Sequence, residues 1–251
     1  MSKRSLILLI TGLLLILTST LSYALDQNIV EIIRIVDRLH RSDTSNQEME
    51  MTIVTPNWER SMTFEIWTEK MDKTFIYIKA PKKDLGTTTL RINREMWNFF
   101  PNINKVMKVP PSMMMGSWMG SDFTNDDLAK ESSLESDYIG SFIVPEDKEN
   151  YNIELIPKGT AAIVWGKITV KVRKSDMMPL EQVFYDEKGQ KMRIMEFKDV
   201  KTFDGKLKPS ILEMRPLNKN GYKTVIKIID AKFDRKLEKD IFSLRNLQKT
   251  R

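Results

Sequence analysis

The chain contains no cysteine and a single histidine, His40, in 251 residues. The first absence excludes disulfides, a thiolate nucleophile and a lipid-bearing N-terminal cysteine. The second leaves a Ser-His-Asp triad dependent on His40, which falls at the end of a helical pattern and reads as a surface residue. There is no HExxH pattern and no Cys/His cluster, so no transition-metal site and no cofactor is expected. Asp122, Asp126 and Asp127 lie close together but lack the alternating spacing and glycine of a calcium loop. Helix capping is the other reading of these acids, and the one favoured. Nothing singles out a carboxylate pair among the 34 acidic residues. The expected protein therefore has no catalytic residues.

Charge of one sign is also in short supply. The 40 basic residues exceed the 34 acidic ones only mildly, a formal +6. Nucleic acid is not expected as a partner, because neutralising many phosphates needs a concentrated basic face. Long apolar runs are confined to the N-terminus, where Lys3 and Arg4 precede Leu6 to Leu17 and Ser22-Tyr23-Ala24 offers small residues for cleavage. This reads as a secretory signal over residues 1–24, with an uncleaved anchor as the alternative. The run is short of the ~20 residues that span a bilayer. Residues 25–251 then form a single domain. Losing Lys3 and Arg4 takes the 40 basic residues to 38 against 34 acidic, a formal +4.

What is abundant is alternation. After an amphipathic helix at 27–40, with Ile29, Ile32, Ile33, Val36 and Leu39 on one stripe, come strand patterns at 48–55, 60–69, 74–80, 85–92, 95–100 and 105–109. On the second of these, Met62, Phe64 and Ile66 face away from Ser61, Thr63, Glu65 and Trp67. A second series follows at 151–157, 162–173, 179–185, 191–200, 208–215 and 222–233, with turn chemistry such as Asp204-Gly205 at the joints. The segment 138–144 is too short to assign from its pattern. Some ten to twelve strands joined by short turns predict a wide antiparallel meander, which must curl, close or split.

Between the two series lies the oddest stretch, Pro110-Pro111-Ser112-Met113-Met114-Met115-Gly116-Ser117-Trp118-Met119-Gly120-Ser121-Asp122-Phe123. Five soft or aromatic side chains crowd seven positions, and Gly116 and Gly120 disfavour a regular helix or strand. Methionine is unbranched and polarizable, so such a cluster repacks around apolar partners of different shape. It is either a lid over something greasy or the closure of an ordinary core. Thr124 followed by Asp127 predicts a capped short helix immediately after it. Four of the five tryptophans lie between residues 58 and 118, so this half is rich in apolar surface.

These residues carry a resemblance. Trp97-Asn98-Phe99-Phe100-Pro101-Asn102, Lys105-Val106, Tyr77 to Thr87, the run from Pro111 to Leu128 and the closing Asp240-Ile241-Phe242-Ser243-Leu244 resemble the LolA-like outer membrane lipoprotein-sorting proteins, in the branch found beside RND/MMPL-type transporters. The resemblance covers essentially the whole mature chain. It implies an α+β, mainly β fold: a wide curled antiparallel sheet forming a half-open β-barrel of eleven strands with a helical and loop lid. It further implies a periplasmic location and cargo that is lipid or an acylated lipoprotein, with an inner-membrane RND/MMPL-type transporter or an outer-membrane acceptor as partner. On this reading Met113, Met114, Met115, Trp118, Met119 and Phe123 form the lid, and Phe64, Ile66, Phe75, Tyr77, Trp97 and Phe99 belong to the cavity wall. A module that docks on a transporter and carries nothing, and a hydrolase with an acidic pair in the cavity, are the rivals.

Overall fold

A computed structural model describes residues 28–37, 39, 42–70, 72–129, 134–144, 147–159 and 165–249. The expected signal at 1–24, His40 and the start of the strand expected at 162–173 lie outside the described residues.

Among the described residues, thirteen strands form one antiparallel sheet in the order β6-β5-β4-β3-β2-β1-β13-β12-β11-β10-β9-β8-β7. The N-terminal series comprises β1 (Thr44–Val54), β2 (Glu59–Glu69), β3 (Lys73–Ala80), β4 (Thr88–Ile92), β5 (Glu95–Phe100) and β6 (Lys105–Lys108). The C-terminal series comprises β7 (Tyr138–Phe142), β8 (Asn150–Pro157), β9 (Lys167–Arg173), β10 (Pro179–Tyr185), β11 (Lys191–Phe203), β12 (Lys206–Pro216) and β13 (Lys223–Phe233). Each series is a meander, and β1 joins the two by pairing with both β2 and β13. The sheet does not close, because β6 and β7 are its two edges.

Thirteen strands replace the ten to twelve expected from pattern and the eleven implied by resemblance. The twelve strand patterns gain a thirteenth from the unassigned 138–144 segment: Tyr138–Phe142 pairs with β8, placing Ile139 opposite Ile156. Elsewhere the register follows the alternation. Met49 and Met51 of β1 stand opposite Phe64 and Met62 of β2, so these apolar residues share one face, here termed inner. Phe203 and Lys206 pair across the Asp204-Gly205 turn, where both turn residues have positive φ as a tight hairpin requires.

Helix α1 (residues 28–37) lies on the inner face of the C-terminal strands, where Ile29, Ile32, Ile33 and Val36 pack with Ile153, Leu155, Ile168 and Val170. Gly140 on β7 permits the close approach: a Cβ there would stand 2.6 Å from Ile33 Cδ1 and 2.8 Å from Ile29 Cγ2. Two short helices follow β6, α2 (Asn125–Ala129) and α3 (Leu134–Asp137). Asp37 of α1 accepts the free backbone N–H groups of Leu134 and Glu135 at the start of α3, at 3.2 and 3.3 Å.

The outer face carries a core of its own at β2–β5. Trp67, Phe75, Tyr77, Leu90 and Phe99 are buried there beneath Ile241 and Leu247 of the C-terminal segment, with Trp97 partly buried beside them. That segment ends in α4 (Leu244–Leu247), capped by Ser243, whose Oγ accepts from Asn246 N, and Thr88 Oγ1 donates to Leu247 O at 2.9 Å.

Candidate functional site

Between the inner face and its covers lies a cavity of about 410 Å³, within the usual size range of small-ligand pockets. Its apolar wall is built by alternate residues of adjacent strands: Met49 of β1, Phe64 and Ile66 of β2, Ile76 of β3, Phe184 of β10, Met195 of β11, Leu212 and Met214 of β12, and Ile226 and Ile228 of β13. Val36 of α1, Leu128 of α2, Leu134 of α3, Trp118 and Phe123 close it from the other side.

The methionine segment is stitched across the sheet. Trp118 is 3 % exposed, meets Phe64 edge-on with ring centroids 5.6 Å apart, and donates its indole N–H to Thr89 Oγ1 on β4 at 3.2 Å. At the other end Asp122 N donates to Thr224 Oγ1 on β13 at 2.9 Å, and the same hydroxyl donates back to Asp122 Oδ2 at 2.8 Å. Between these anchors Trp118 N donates to Phe123 O, and Met119 and Gly120 take positive φ to turn the chain. Burial pushes the Asp122 carboxyl up, against the Thr224 hydrogen bond and the positive charge of Lys219 and Arg193.

The capping expected of Thr124 and Asp127 is present as a reciprocal box: Asp127 N donates to Thr124 Oγ1 at 3.1 Å, and Thr124 N to Asp127 Oδ2 at 2.8 Å. Asp127 also receives a two-pronged grip from Arg193 of β11, at 2.7 and 2.6 Å. The Arg193 guanidinium stacks 4.5 Å from the ring centroids of both Trp165 and Phe184. Burial alone would push the Asp127 carboxyl up; Arg193 and Thr124 outweigh it and hold it below the usual carboxylate range.

Of the expected lid residues, Trp118 and Phe123 line the cavity, and Met119 is packed beside Trp118 against the β1–β3 core. Met113 and Met115 are exposed, 58 % and 46 %, and Met114 is half-buried; none of the three lines the cavity. Of the expected wall residues, Phe64 and Ile66 line it. Phe75, Tyr77, Trp97 and Phe99 do not: odd positions of β3 and β5 point to the outer face, where the C-terminal segment covers them. Sequence reasoning missed Arg193, Gln182 and Lys208, which share strand parity with the cavity residues Met195, Phe184 and Leu212. Parity relative to an apolar neighbour was the signal that marks them.

Known proteins place this architecture. The fold matches that of a DUF1329 family protein from Desulfovibrio piger (TM-score 0.78, 20% identity, 89% of this chain and 99% of that one). A putative outer membrane lipoprotein-sorting protein domain from Vibrio parahaemolyticus is similar at TM-score 0.75 and 21% identity, over 89% of this chain and 100% of that one. A LolA superfamily protein from Nitrosomonas europaea gives 0.72 and 19%, over 87% and 98%. The fold is therefore that of the LolA-like half-barrels. More particularly, a "-like" family model described as "Uncharacterized protein" matches residues 70–249, and the chain belongs to that family. In sequence the chain is 25% identical over 224 residues to the sporulation protein YdcC of Bacillus subtilis (strain 168), covering 84% of this chain and 63% of that protein's length.

Proposed function

We propose that the protein is a non-enzymatic periplasmic carrier that shelters the acyl chains of a lipid or lipoprotein and moves them toward the outer membrane, in concert with an inner-membrane RND/MMPL-type transporter. The observation that carries this reading is the apolar cavity of about 410 Å³ between sheet and cover. Removing acyl chains from water is worth ~0.8 kcal/mol per buried CH₂, so an imperfect cavity suffices for passage across an aqueous space. The likeness in fold to lipoprotein-sorting proteins points the same way.

In this role Trp118, Phe123, Phe64 and Ile66 touch the cargo, together with Met49, Phe184, Met195 and Met214. Met113 and Met115, exposed on the cover, are the contact for the membrane partner. That exposure also favours the rival in which the protein docks on a transporter and carries nothing. The two separate on one experiment: organic extraction and mass spectrometry of mature protein purified from the periplasm without detergent. A stoichiometric lipid or acylated peptide establishes the carrier. Protein that yields no lipid and takes up none when lipid is added overturns it in favour of the docking module.

A further inference from the structure

Four charged side chains line the cavity: Asp37, Asp127, Arg193 and Lys208. Three have evident partners. Asp37 accepts from the α3 backbone, and Asp127 and Arg193 hold each other. Lys208 differs. It is 7 % exposed, and among the described residues no carboxylate pairs with it; its Nζ rests 4.4 Å from the Phe233 ring centroid.

The neighbouring charges are all committed elsewhere. Lys201, opposite Lys208 in the β11–β12 register, is paired with Asp199 at 2.7 Å, and Lys206 is paired with Asp234 at 2.6 Å. Burial, with Lys206 adding and Asp234 opposing, pushes the Lys208 ammonium down to about 8. An aromatic face compensates only part of the loss of water around an ammonium group. A buried cation that no carboxylate pairs with among the described residues, in a cavity whose other charges are matched, is the arrangement that an amphiphile with an acidic head completes.

We propose that the cavity takes an acyl chain bearing an acidic head, a carboxylate or a phosphate, with the head seated on Lys208 and the chain along the apolar wall of β1, β2, β12 and β13. This rests on the carrier reading and adds the headgroup to it. The ligand class excludes neutral lipids and those whose head lacks a free anionic oxygen. Lys208 is a specificity-determining residue in this scheme, since the chain supplies binding and the head supplies selection.

The test uses delipidated mature protein and displacement of cis-parinaric acid at pH 7. Palmitic acid and lysophosphatidic acid are compared with methyl palmitate, and the set is repeated on Lys208→Met. The expected result is binding of at least one acid about tenfold or more tighter than the ester, a preference that falls below twofold in Lys208→Met. Preference for palmitic acid assigns a carboxylate head, and preference for lysophosphatidic acid a phosphate. Equal binding of acids and ester by the unsubstituted protein overturns the headgroup assignment and leaves the carrier standing. Preference retained in Lys208→Met also overturns it. Failure of all three ligands to bind removes the carrier reading, and this inference with it.

Discussion

Arg193 and Asp127 lie 66 residues apart in sequence and meet through two hydrogen bonds of 2.7 and 2.6 Å, so that the short helix behind the methionine segment is bolted to the middle of the C-terminal strands. Both side chains are largely shielded, at 7 % and 17 % exposed. Removing one partner from a buried pair leaves the other charge uncompensated, which costs ~3–5 kcal/mol. Arg193→Met and Asp127→Leu are each expected to lower the unfolding free energy read from urea titrations by that order, and the double variant to recover much of the loss. Equal losses that simply add in the double variant would show that the pair does not act as a unit.

The same pair has a pH signature. Because Asp127 is held below the usual carboxylate range, the folded chain binds that proton less readily than the unfolded one. Its stabilisation is complete above the ordinary carboxylate pKa and fades as pH falls through the lower folded value. Comparing acid unfolding of the native chain with the double variant is expected to show a steeper loss in the native chain. Parallel curves would contradict the assignment.

Lys208 gives the opposite dependence. The unfolded chain keeps this proton up to about 10.5, the folded chain only to about 8. The penalty is therefore complete below pH 8 and disappears as pH rises from 8 to 10.5, where the unfolded state binds more protons. In ligand-free protein Lys208→Met is expected to be more stable at pH 7 by ~2–3 kcal/mol, with the gap narrowing toward pH 10. Chemical denaturation at pH 7 and pH 10 measures it, and a gap that widens with pH contradicts the burial argument.

Replacing all of Met113, Met114, Met115 and Trp118 would confuse two effects, because the tryptophan is a core residue. Trp118→Ala is expected to cost ~3–5 kcal/mol, through lost contact with Phe64 and the open bond to Thr89. Met113→Ser with Met115→Ser is expected to change stability by less than ~0.5 kcal/mol, and to reduce binding of a membrane partner without reducing lipid content. Thermal melts and lipid extraction of both variants separate the roles. Lipid loss in the methionine pair with no effect on docking would return those residues to the cargo site.

At Gly140 the expected outcome is local. Valine there would collide with Ile29 and Ile33 of α1, lifting the helix at a cost of ~1–3 kcal/mol. Faster hydrogen exchange confined to α1 and β7 is the signature sought; native exchange rates in Gly140→Val would show that the helix has room.

The alternation of β1 and β2 made their inner face legible, since Met49, Met51, Met62 and Phe64 alternate with polar neighbours. β3 was not legible in the same way: Phe75, Ile76, Tyr77 and Ile78 are all buried, so period two gives no preference between faces. What decides it is the C-terminal segment around Ile241 and Leu247, more than 150 residues away, which supplies a second apolar environment on the outer side. That is why Phe75 and Tyr77 read as cavity wall from sequence and are not. The Thr124 and Asp127 box was legible because both partners lie within one helical turn. The Arg193 grip on it was not, because that contact exists only once β11 is in register.

The C-terminal cover also divides the sheet mechanically. At β3 the backbone is held between apolar layers on both sides, and Thr88 of the adjoining β4 is fastened to the C-terminal segment through Leu247. A ribbon laminated on both faces resists bending, whereas the faces of β11 and β12 turned away from the cavity bear charged residues such as Lys198 and Glu213, paired with each other at 3.1 Å. On the carrier reading proposed above, any swelling that a bulkier guest demands is taken up on the C-terminal half, which acts as the compliant jaw against a stiff anvil.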